Sequence, residues 1–226
     1  MIQTIEERSS GPYSYFTVDF CVGSKADEDE IRKDIAELGG RLPQGYEVTY
    51  TMNIEGRAYT GHTRHAKLRD VAMCALLRAL GAPSGEKVKK GTEIPGWLTE
   101  VPLTVQREFL ASYFGGDGTV PRIVKRNLSS QSGVGFHRVV QKKDGGMKLA
   151  RQLVSLLSKF GVTVNTIDCT PGYKRKDGFE TVEIRLRFKL SEDNILKLCQ
   201  SIGIRYCSKK AMSVNLVGEY LRIKSH

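Results

Sequence analysis

Two kinds of hydrophobic periodicity alternate along the chain. Apolar residues recur at every second position in residues 13–22 and 179–189, which predicts strands with one apolar face. Between such stretches they recur at three- and four-residue spacing, which predicts amphipathic helices. Strands are predicted near residue 5 and at 13–22, 46–52, 57–63, 119–126, 134–141, 162–169 and 179–189. Helices are predicted at 27–38, 68–80, 104–116, 149–160, 195–202 and 209–224, the second with Leu68, Val71, Ala72, Ala75, Leu76 and Leu80 on its apolar face.

The order strand-helix-strand-strand-helix occurs twice, at a period of roughly 120 residues. That period is too long for a solenoid and suits a duplicated α+β half. Each half is expected to have an antiparallel sheet with its helices on one face. We predict an N-terminal half with its connector at 1–98 and a C-terminal half at 99–226.

Residues 102–119 form the most informative stretch. Phe109, Leu110, Tyr113 and Phe114 recur at helical spacing and predict an apolar face. Small residues lie on the same helix, and such residues let another helix backbone approach closely. The predicted helix interface consists of Ala111, Ser112 and Gly115.

Asp117 follows at the C-terminal end of this helix, where the macrodipole is negative and disfavours an acid. The neighbouring glycines are expected to end the helix through left-handed dihedrals. Because a cation relieves a carboxylate at a negative helix end, Asp117 and Gly116 are candidate metal-site residues. The alternative is a turn in which Asp117 caps its own backbone.

Composition points to an anionic partner. The formal net charge is +10 and the pI is about 9.4, which favours nucleic acid over membrane. The alternative is that most of this charge is ordinary solvated surface. The five cysteines show no zinc-ligand spacing and indicate a reducing compartment. No signal peptide or membrane-spanning apolar run is apparent, so an intracellular, soluble chain is expected.

The predicted strand at 179–189 places a row of cations on its polar face. Arg185, Arg187 and Lys189 alternate with apolar residues, and antiparallel strands can enter a DNA major groove. The alternative is a solvated face whose cations provide solubility. The candidate DNA-binding residues are Arg57, Arg64, Arg122, Lys125, Arg126, Arg138, Lys142, Lys174, Arg175, Lys176, Arg185, Arg187 and Lys189.

The segment Leu110–Gly118 resembles the LAGLIDADG motif of the dodecapeptide homing endonucleases, especially those carried within inteins. The flanking segments 76–85, 94–98, 202–207 and 219–224 are similar to stretches that surround the second motif in that family. The resemblance implies two pseudo-symmetric halves whose antiparallel sheets form a DNA-binding saddle, with two motif helices each delivering an acid to a metal-dependent cleavage centre.

The resemblance also implies site residues. Asp117 matches the metal-binding acid of the second motif, with Mg²⁺ as the expected ion. Basic residues assist catalysis in the family, and the candidates by position are Lys89 or Lys90 and Lys209 or Lys210. Of these, Lys90 and Lys209 are our predicted catalytic lysines. A surface lysine is the alternative for each.

The chain departs from the family pattern in three respects. The first LAGLIDADG helix and its acid are expected to be missing, because residues 1–5 hold only the first strand. Gly115 replaces the earlier acid of the motif, and Ser112 replaces an interface glycine. No splicing nucleophile block or terminal His-Asn pair is found.

Three arrangements follow from the missing helix. A companion chain supplies it in a split enzyme, two copies pair through their single motif helices, or the protein binds nucleic acid without cleaving it. The leading prediction is a Mg²⁺-dependent, site-specific double-strand DNA endonuclease of intein origin. The alternative is a non-catalytic DNA- or RNA-binding module, regulatory or maturase-like, on the same scaffold.

Overall fold

The computed structural model describes residues 2–10, 13–54, 57–124, 127–128 and 132–224, with the backbone alone for 2–10, 13–15 and 54. The chain divides into two compact units. Unit 1 comprises residues 1–85 and 206–208, and unit 2 comprises residues 86–205 and 209–226. Both units combine helices with antiparallel sheets, so the predicted α+β fold class is confirmed.

Unit 1 contains one four-stranded sheet and two helices. Its elements are β1 (Ile2–Ser10), β2 (Tyr13–Val22), α1 (Lys25–Glu37), β3 (Tyr46–Ile54), β4 (Arg57–Leu68) and α2 (Val71–Ala79). The strands are antiparallel in the order β1-β2-β4-β3. The core lies between one face of this sheet and the helices, where Val18 and Phe20 pair in register with Leu68 and Ala66.

Unit 2 contains a second four-stranded sheet. Its elements are α3 (Leu103–Asp117), β5 (Gly118–Thr119), β6 (Ile123–Val124), β7 (Asn127–Leu128), β8 (Gly133–Val139), α4 (Lys143–Ser158), β9 (Val164–Lys174), β10 (Glu180–Phe188), α5 (Glu192–Lys197) and α6 (Ser208–Lys224). The order of the main sheet is β5-β8-β10-β9, and β6 pairs with β7 in a separate hairpin. Ile184 and Leu186 of β10 are fully buried, and burying each side chain stabilises the fold by about 1.5–3 kcal/mol.

The two sheets have the same strand order. In each unit the first two strands are neighbours, the fourth lies beside the second, and the third lies at the edge. The repeated order of strand, helix, two strands and helix is therefore present in the structure, as β2-α1-β3-β4-α2 and β8-α4-β9-β10-α5.

The boundary between the units lies earlier in the chain than the predicted division at 98/99. Residues 86–98 belong to unit 2, because Ile94 and Leu98 are buried in its core. The backbone also anchors this connector: Val139 N donates to Val88 O at 3.0 Å, and Ile94 N donates to Gln152 Oε1 at 3.0 Å.

The predicted helix at 68–80 is shorter and faces differently. Leu68 ends β4, and the helix begins at Val71 after its N-cap, Asp70. Met73 and Cys74 are buried, whereas Val71, Leu76 and Leu80 are exposed. The prediction of the apolar face was wrong because almost every residue of this helix is apolar, so composition does not define one face.

Within the described residues, none of the helices combines the length and the apolar character that crossing a bilayer requires.

Candidate active site

The motif stretch forms the predicted helix. α3 begins after Pro102, and the Gln106 side chain donates to Val101 O at 2.7 Å near its first turn. Leu110, Ala111, Phe114 and Gly115 are buried, so one side of the helix lies in the core of unit 2. This burial fixes the direction in which the last residue of the helix, Asp117, leaves the core.

The small residues of α3 pack against backbone rather than against a second helix. Arg205 N donates to Ala111 O at 3.1 Å, and a Cβ added to Gly115 would lie 1.9 Å from Arg205 O. The predicted role of Ala111 and Gly115 as a helix interface is thus corrected, because the non-helical segment at Arg205 occupies that side. Ser112 is partly buried, and its hydroxyl donates to Glu108 O at 2.7 Å.

The glycine after Asp117 does not adopt a left-handed conformation. Gly118 has φ −76° and ψ 143°, which is extended backbone open to any residue. A Cβ at this position would lie 2.6 Å from Phe114 O. The expectation of left-handed dihedrals was therefore wrong, and close packing against the last turn of α3 explains the glycine instead.

Lys210 of α6 neutralises the C-terminal end of α3. Its Nζ donates to Gly115 O at 2.8 Å, to Gly116 O at 2.9 Å and to Phe114 O at 3.3 Å. Phe114 O also accepts from the Gly118 N–H. The carbonyls of the last turn form the negative end of the helix dipole. Lys209, the predicted catalytic lysine, is exposed, and its neighbour Lys210 makes the contacts with the motif helix.

Asp117 is exposed and lies in a groove on the open face of the unit 2 sheet. We call this the Asp117 groove. Its lining residues are Asp117, Thr119, Ser132, Gly133, Val134, Gly135, Glu183, Arg185, Leu186 and Arg187. The structure therefore brings together the predicted metal-binding acid and two of the predicted DNA-binding arginines.

The arginines of the groove each pair with a carboxylate. Arg185 Nη2 donates to Glu183 Oε1, and Arg187 Nε donates to Asp168 Oδ2, both at 2.5 Å. The hydrogen bond from Arg187 lowers the pKa of Asp168, which keeps that carboxyl group ionised. The sequence could have shown Glu183 as a partner of Arg185, because the two residues share one face of the same strand. Asp168 lies on β9, and the pairing of β9 with β10 places it beside the arginines.

Arg138 lies behind the groove rather than on its surface. It is 5% exposed and in phase with the buried Val134 and Phe136, so it faces the helices. Its Nη2 donates to Thr92 Oγ1 at 2.6 Å, and its Nε has no hydrogen-bond partner in the described part of the chain. The prediction of Arg138 as a DNA contact is corrected. The alternation of β8 could have shown its burial, because Arg138 shares a face with the apolar Val134 and Phe136.

Asp117 acts electrostatically on the partly buried Tyr113 and the buried Arg138. Burial raises the pKa of the Tyr113 hydroxyl, and the negative charge of Asp117 raises it further. Burial lowers the pKa of Arg138, against the effects of Tyr113 and Asp117. Tyr113 and Arg138 thus form part of the surroundings of the carboxylate.

Two more predicted DNA-binding arginines are engaged in internal ion pairs. Arg64 faces α1, where its Nε lies 2.8 Å from Oε2 of the buried Glu28. Arg175 pairs with Glu86 at 2.6 Å and with Asp177 at 3.1 Å. These guanidinium groups hold parts of their own unit together. Arg64 is also in phase with the buried Ala66 and Leu68, so its prediction as a DNA contact is corrected, whereas that of Arg175 stays a prediction.

Lys89 is engaged in the same way, 2.7 Å from Asp177 and over the ring of Phe179. We call Glu86, Lys89, Arg175 and Asp177 the connector ion-pair network. It joins the connector to the turn between β9 and β10. Lys90, the predicted catalytic lysine, is exposed in this connector.

The remaining predicted basic residues are exposed where the structure describes them. Lys125 and Arg126 lie outside the described residues. The exposed residues are Arg57, Arg122, Lys142, Lys174, Lys176 and Lys189.

The donor set at Asp117 fits one carboxylate ligand of a hard divalent ion. Mg²⁺ typically keeps several waters and binds through one or two carboxylates together with substrate phosphates. Among the residues the structure describes, no group of three or more His, Cys, Asp or Glu side chains could hold a metal. Gly116 fits less well than predicted, because its carbonyl accepts a hydrogen bond from Lys210.

Residues 104–203 match the family model of a LAGLIDADG-like domain. This range begins in α3, contains Asp117 and lies within unit 2.

Three relatives are similar to most of the chain. They are the DNA-directed RNA polymerase subunit Rpo1N of Methanocaldococcus jannaschii, 28% identical over 89% of the chain, and the tRNA-splicing ligase RtcB of Pyrococcus furiosus, 31% identical over 86%. The third is the replication factor C small subunit of M. jannaschii, 30% identical over 86%. The chain spans only 15%, 20% and 10% of the lengths of these relatives, respectively.

Two solved structures of homing endonucleases are similar at low identity. I-DmoI in complex with DNA and Ca has a TM-score of 0.46 and 10% identity, covering 98% of this chain and 90% of that one. I-WcaI bound to its DNA recognition sequence has a TM-score of 0.44 and 13% identity, covering 94% and 80%.

Proposed function

We propose that the protein is a site-specific, double-strand DNA endonuclease that depends on a divalent metal ion, with Mg²⁺ as the working ion. The observation that carries this proposal is the Asp117 groove. There an exposed carboxylate, at the end of a helix with one side in the core, lines the same groove as Arg185 and Arg187. A carboxylate suits a hard cation, and arginines suit phosphates and guanine edges. The LAGLIDADG-like domain at 104–203 supports the same conclusion.

The residues of the groove have separate tasks in this proposal. A divalent ion bound at Asp117 supplies Lewis-acid stabilisation of the phosphodiester during hydrolysis. α3 holds the carboxylate rigidly, because Leu110 and Phe114 anchor the preceding turns in the core. The Lys210 ammonium group offsets the negative end of the helix dipole. It thereby reduces the repulsion between the Asp117 carboxylate and the carbonyl groups of the last turn.

We propose that a second carboxylate comes from a companion chain or from a second copy of this chain. The described part of the Asp117 groove offers Asp117 at the helix end, whereas Glu183 is paired with Arg185. Cleavage of two strands requires hydrolysis of two phosphodiesters, and a single metal-binding carboxylate serves one of them. The mass of the native assembly, measured with and without duplex DNA, separates a lone chain from a pair and from a split enzyme.

We also propose an intein origin. The three relatives named above carry out unrelated tasks according to their names, yet each resembles this chain over about 200 residues. Because the shared segment is a small part of each relative, an inserted element explains the similarity better than a common activity of the hosts.

The test uses duplexes selected from a random library by the Asp117→Asn protein. Wild-type protein, with its companion if one is found, is then incubated with a selected duplex and either Mg²⁺ or a chelator. We expect cleavage of both strands in Mg²⁺ alone, and we expect Asp117→Asn to bind the duplex without cutting it. Equal cleavage by Asp117→Asn would remove this carboxylate from the mechanism.

A non-catalytic nucleic-acid-binding module is the second candidate. The single carboxylate at the end of α3 and the use of the Gly116 carbonyl by Lys210 favour it. This candidate predicts tight, salt-dependent duplex binding with no cleavage in any divalent metal and no effect of Asp117→Asn on affinity.

A further inference from the structure

Two exposed arginine–carboxylate pairs lie side by side on the open face of β9 and β10. The first pair is Arg185 with Glu183, whose side chains are 45% and 26% exposed. The second is Arg187 with Asp168, whose side chains are 49% and 36% exposed. Each pair thus presents a fork of N–H donors and an adjacent carboxylate acceptor to solvent.

The neighbouring strand leaves both pairs accessible. On β8 the cross-strand partners of Arg185 and Arg187 are Gly135 and Gly133. A Cβ at Gly135 would lie 3.3 Å from Glu183 Oε1 and 3.6 Å from Arg185 Nε, so a side chain there would crowd the first pair. Gly135 therefore keeps one side of the first pair open to a large ligand. At Gly133 a Cβ would instead lie 2.0 Å from the Leu186 carbonyl oxygen, so close backbone packing explains that glycine.

Stability does not explain these pairs. Exposed ion pairs contribute little to folding, because water screens the charges and ordering two long side chains costs entropy. Because each pair contributes little to folding, a ligand can replace one or both of its hydrogen bonds at a small cost in free energy.

The donor and acceptor pattern matches the major-groove edge of a G·C base pair. Guanine presents two acceptors, N7 and O6, which suit the arginine fork, and cytosine presents the N4 amino donor, which suits a carboxylate. Arg185 and Arg187 are two residues apart on one strand, so their Cα atoms are separated by about 6.8 Å. That separation corresponds to about two steps of the base-pair stack, at roughly 3.4 Å each.

We propose that the Arg185–Glu183 and Arg187–Asp168 pairs read two G·C base pairs lying two steps apart, next to the phosphate handled at Asp117. This inference rests on the proposed function, because it assigns sequence preference to the same groove. Asp117, both arginines and Glu183 line that groove together, which places the base-reading pairs close to the point of cleavage.

The open face of unit 1 is chemically different. Tyr46, Tyr50, Met52 and Tyr59 are exposed there, Tyr46 stacks on His65, and the Tyr50 ring lies over Gly61. Arg64 of β4 pairs with the buried carboxylate of Glu28, so it faces α1 and not the open face. The inference therefore concerns the two arginine–carboxylate pairs of unit 2 and the base pairs that they contact.

The experiment is selection of duplexes from a random-sequence library by binding, with every protein carrying Asp117→Asn to prevent cleavage. Arg187→Lys keeps the charge and removes the bidentate fork, and Arg185→Lys does the same at the first pair. Lys176→Ala is the matched control, since Lys176 is exposed in the β9–β10 turn and its loss removes one cation away from the pairs. Thermal melting of each variant verifies that it folds.

We expect the parent protein to enrich two G·C positions two steps apart. Each arginine variant should lower the preference at one of these positions roughly tenfold or more, whereas Lys176→Ala should weaken all duplexes equally. Enriched positions that are not G·C, or that survive both arginine variants, would overturn this inference and leave the proposed function standing. Absence of any enriched sequence would overturn the proposed function and this inference with it.

Discussion

Lys210 shows how one cation determines the chemistry of a helix end. The last turn of α3 presents three carbonyl groups beside Asp117, and all three accept a hydrogen bond from the Lys210 ammonium group. Without that group, the negative charge of the carboxylate would lie at the helix end that already carries a partial negative charge. Lys210 is therefore a positioning residue for Asp117.

Replacing Lys210 by Met should destabilise the protein by about 1–2 kcal/mol, because three carbonyls lose a charged donor. Lys209→Met is the matched control and should change stability by less than about 0.5 kcal/mol, since Lys209 is exposed. Urea unfolding of both variants measures the difference. Equal midpoints would mean that Lys210 does not cap α3.

Gly115→Ala should destabilise unit 2 by about 1–3 kcal/mol or more, because the added methyl group would overlap the Arg205 carbonyl. Gly96→Ala is the control, as a Cβ at Gly96 meets no atom within 4 Å. Thermal unfolding compares the two variants. A fully stable Gly115→Ala protein would show that the segment at Arg205 is not packed on α3.

Glu28 should make unit 1 sensitive to acid. Burial raises the pKa of this carboxyl group, but the Gly45 N–H bond and the charges of Arg64 and Arg32 outweigh burial and lower the pKa overall. A lowered folded-state pKa means that the contribution to stability is present above the ordinary pKa of 4.5 and is lost as the pH falls through the folded-state value.

Glu28→Gln should therefore flatten the loss of stability between about pH 5 and pH 2, while the exposed Glu37→Gln control keeps the wild-type slope. Denaturant titrations across this range measure it. An unchanged slope in Glu28→Gln would contradict the assignment.

At the scale of elements, alternation was a reliable guide where a strand is long and one of its faces is buried. The predicted faces of β10 are those of the structure, with Ile184 and Leu186 inside and Arg185 and Arg187 outside. The same rule places Arg138 inside, next to Val134 and Phe136. The charge of Arg138 favours the surface, but its position in the alternation of β8 places it inside.

Contacts between distant segments could not be predicted from periodicity. The connector ion-pair network joins Glu86 and Lys89 to Arg175 and Asp177, which lie almost ninety residues later. No local pattern specifies that pairing, so the sequence alone does not show that Lys89 and Arg175 are bound to carboxylates of their own unit. The network sets the position of the turn between β9 and β10, which carries Lys176 and follows Lys174, the last residue of β9.

Asp177→Asn should loosen the connector, because Asp177 bonds both Lys89 and Arg175, and the bonds from Arg175 and Lys89 hold its pKa well below the ordinary range. We expect faster amide hydrogen exchange in residues 86–92 and near Gly178. Glu219→Gln, which removes an exposed pair with Arg222 on α6, is the control and should leave these amides unchanged. Unaltered exchange in Asp177→Asn would mean that the network does not anchor the connector.

At the scale of the whole molecule, one strand order supports two different surfaces. Both sheets place their third strand at the edge and their second and fourth strands in the centre. The open face of unit 2 carries arginine–carboxylate pairs, whereas that of unit 1 carries exposed tyrosines. The repeated hydrophobic pattern predicted the repeated fold, and the polar positions between the apolar ones determine how the faces differ.

The candidate site was predictable only in part for the same reason. Asp117 stands out because an acid follows a helical pattern at its unfavourable end. Lys210 comes from another helix and Asp168 from another strand, and packing alone brings them near the groove or its arginines.

Mn²⁺ binding, measured by electron paramagnetic resonance, tests whether Asp117 binds a divalent ion where DNA is held. The sample is the protein bound to a duplex selected as described above, with Asp193→Asn as the control for loss of an exposed carboxylate. We expect a tightly bound Mn²⁺ in the wild-type and control complexes and its loss in the Asp117→Asn complex. Equal Mn²⁺ binding in the Asp117→Asn complex, or none in the wild-type complex, would contradict it.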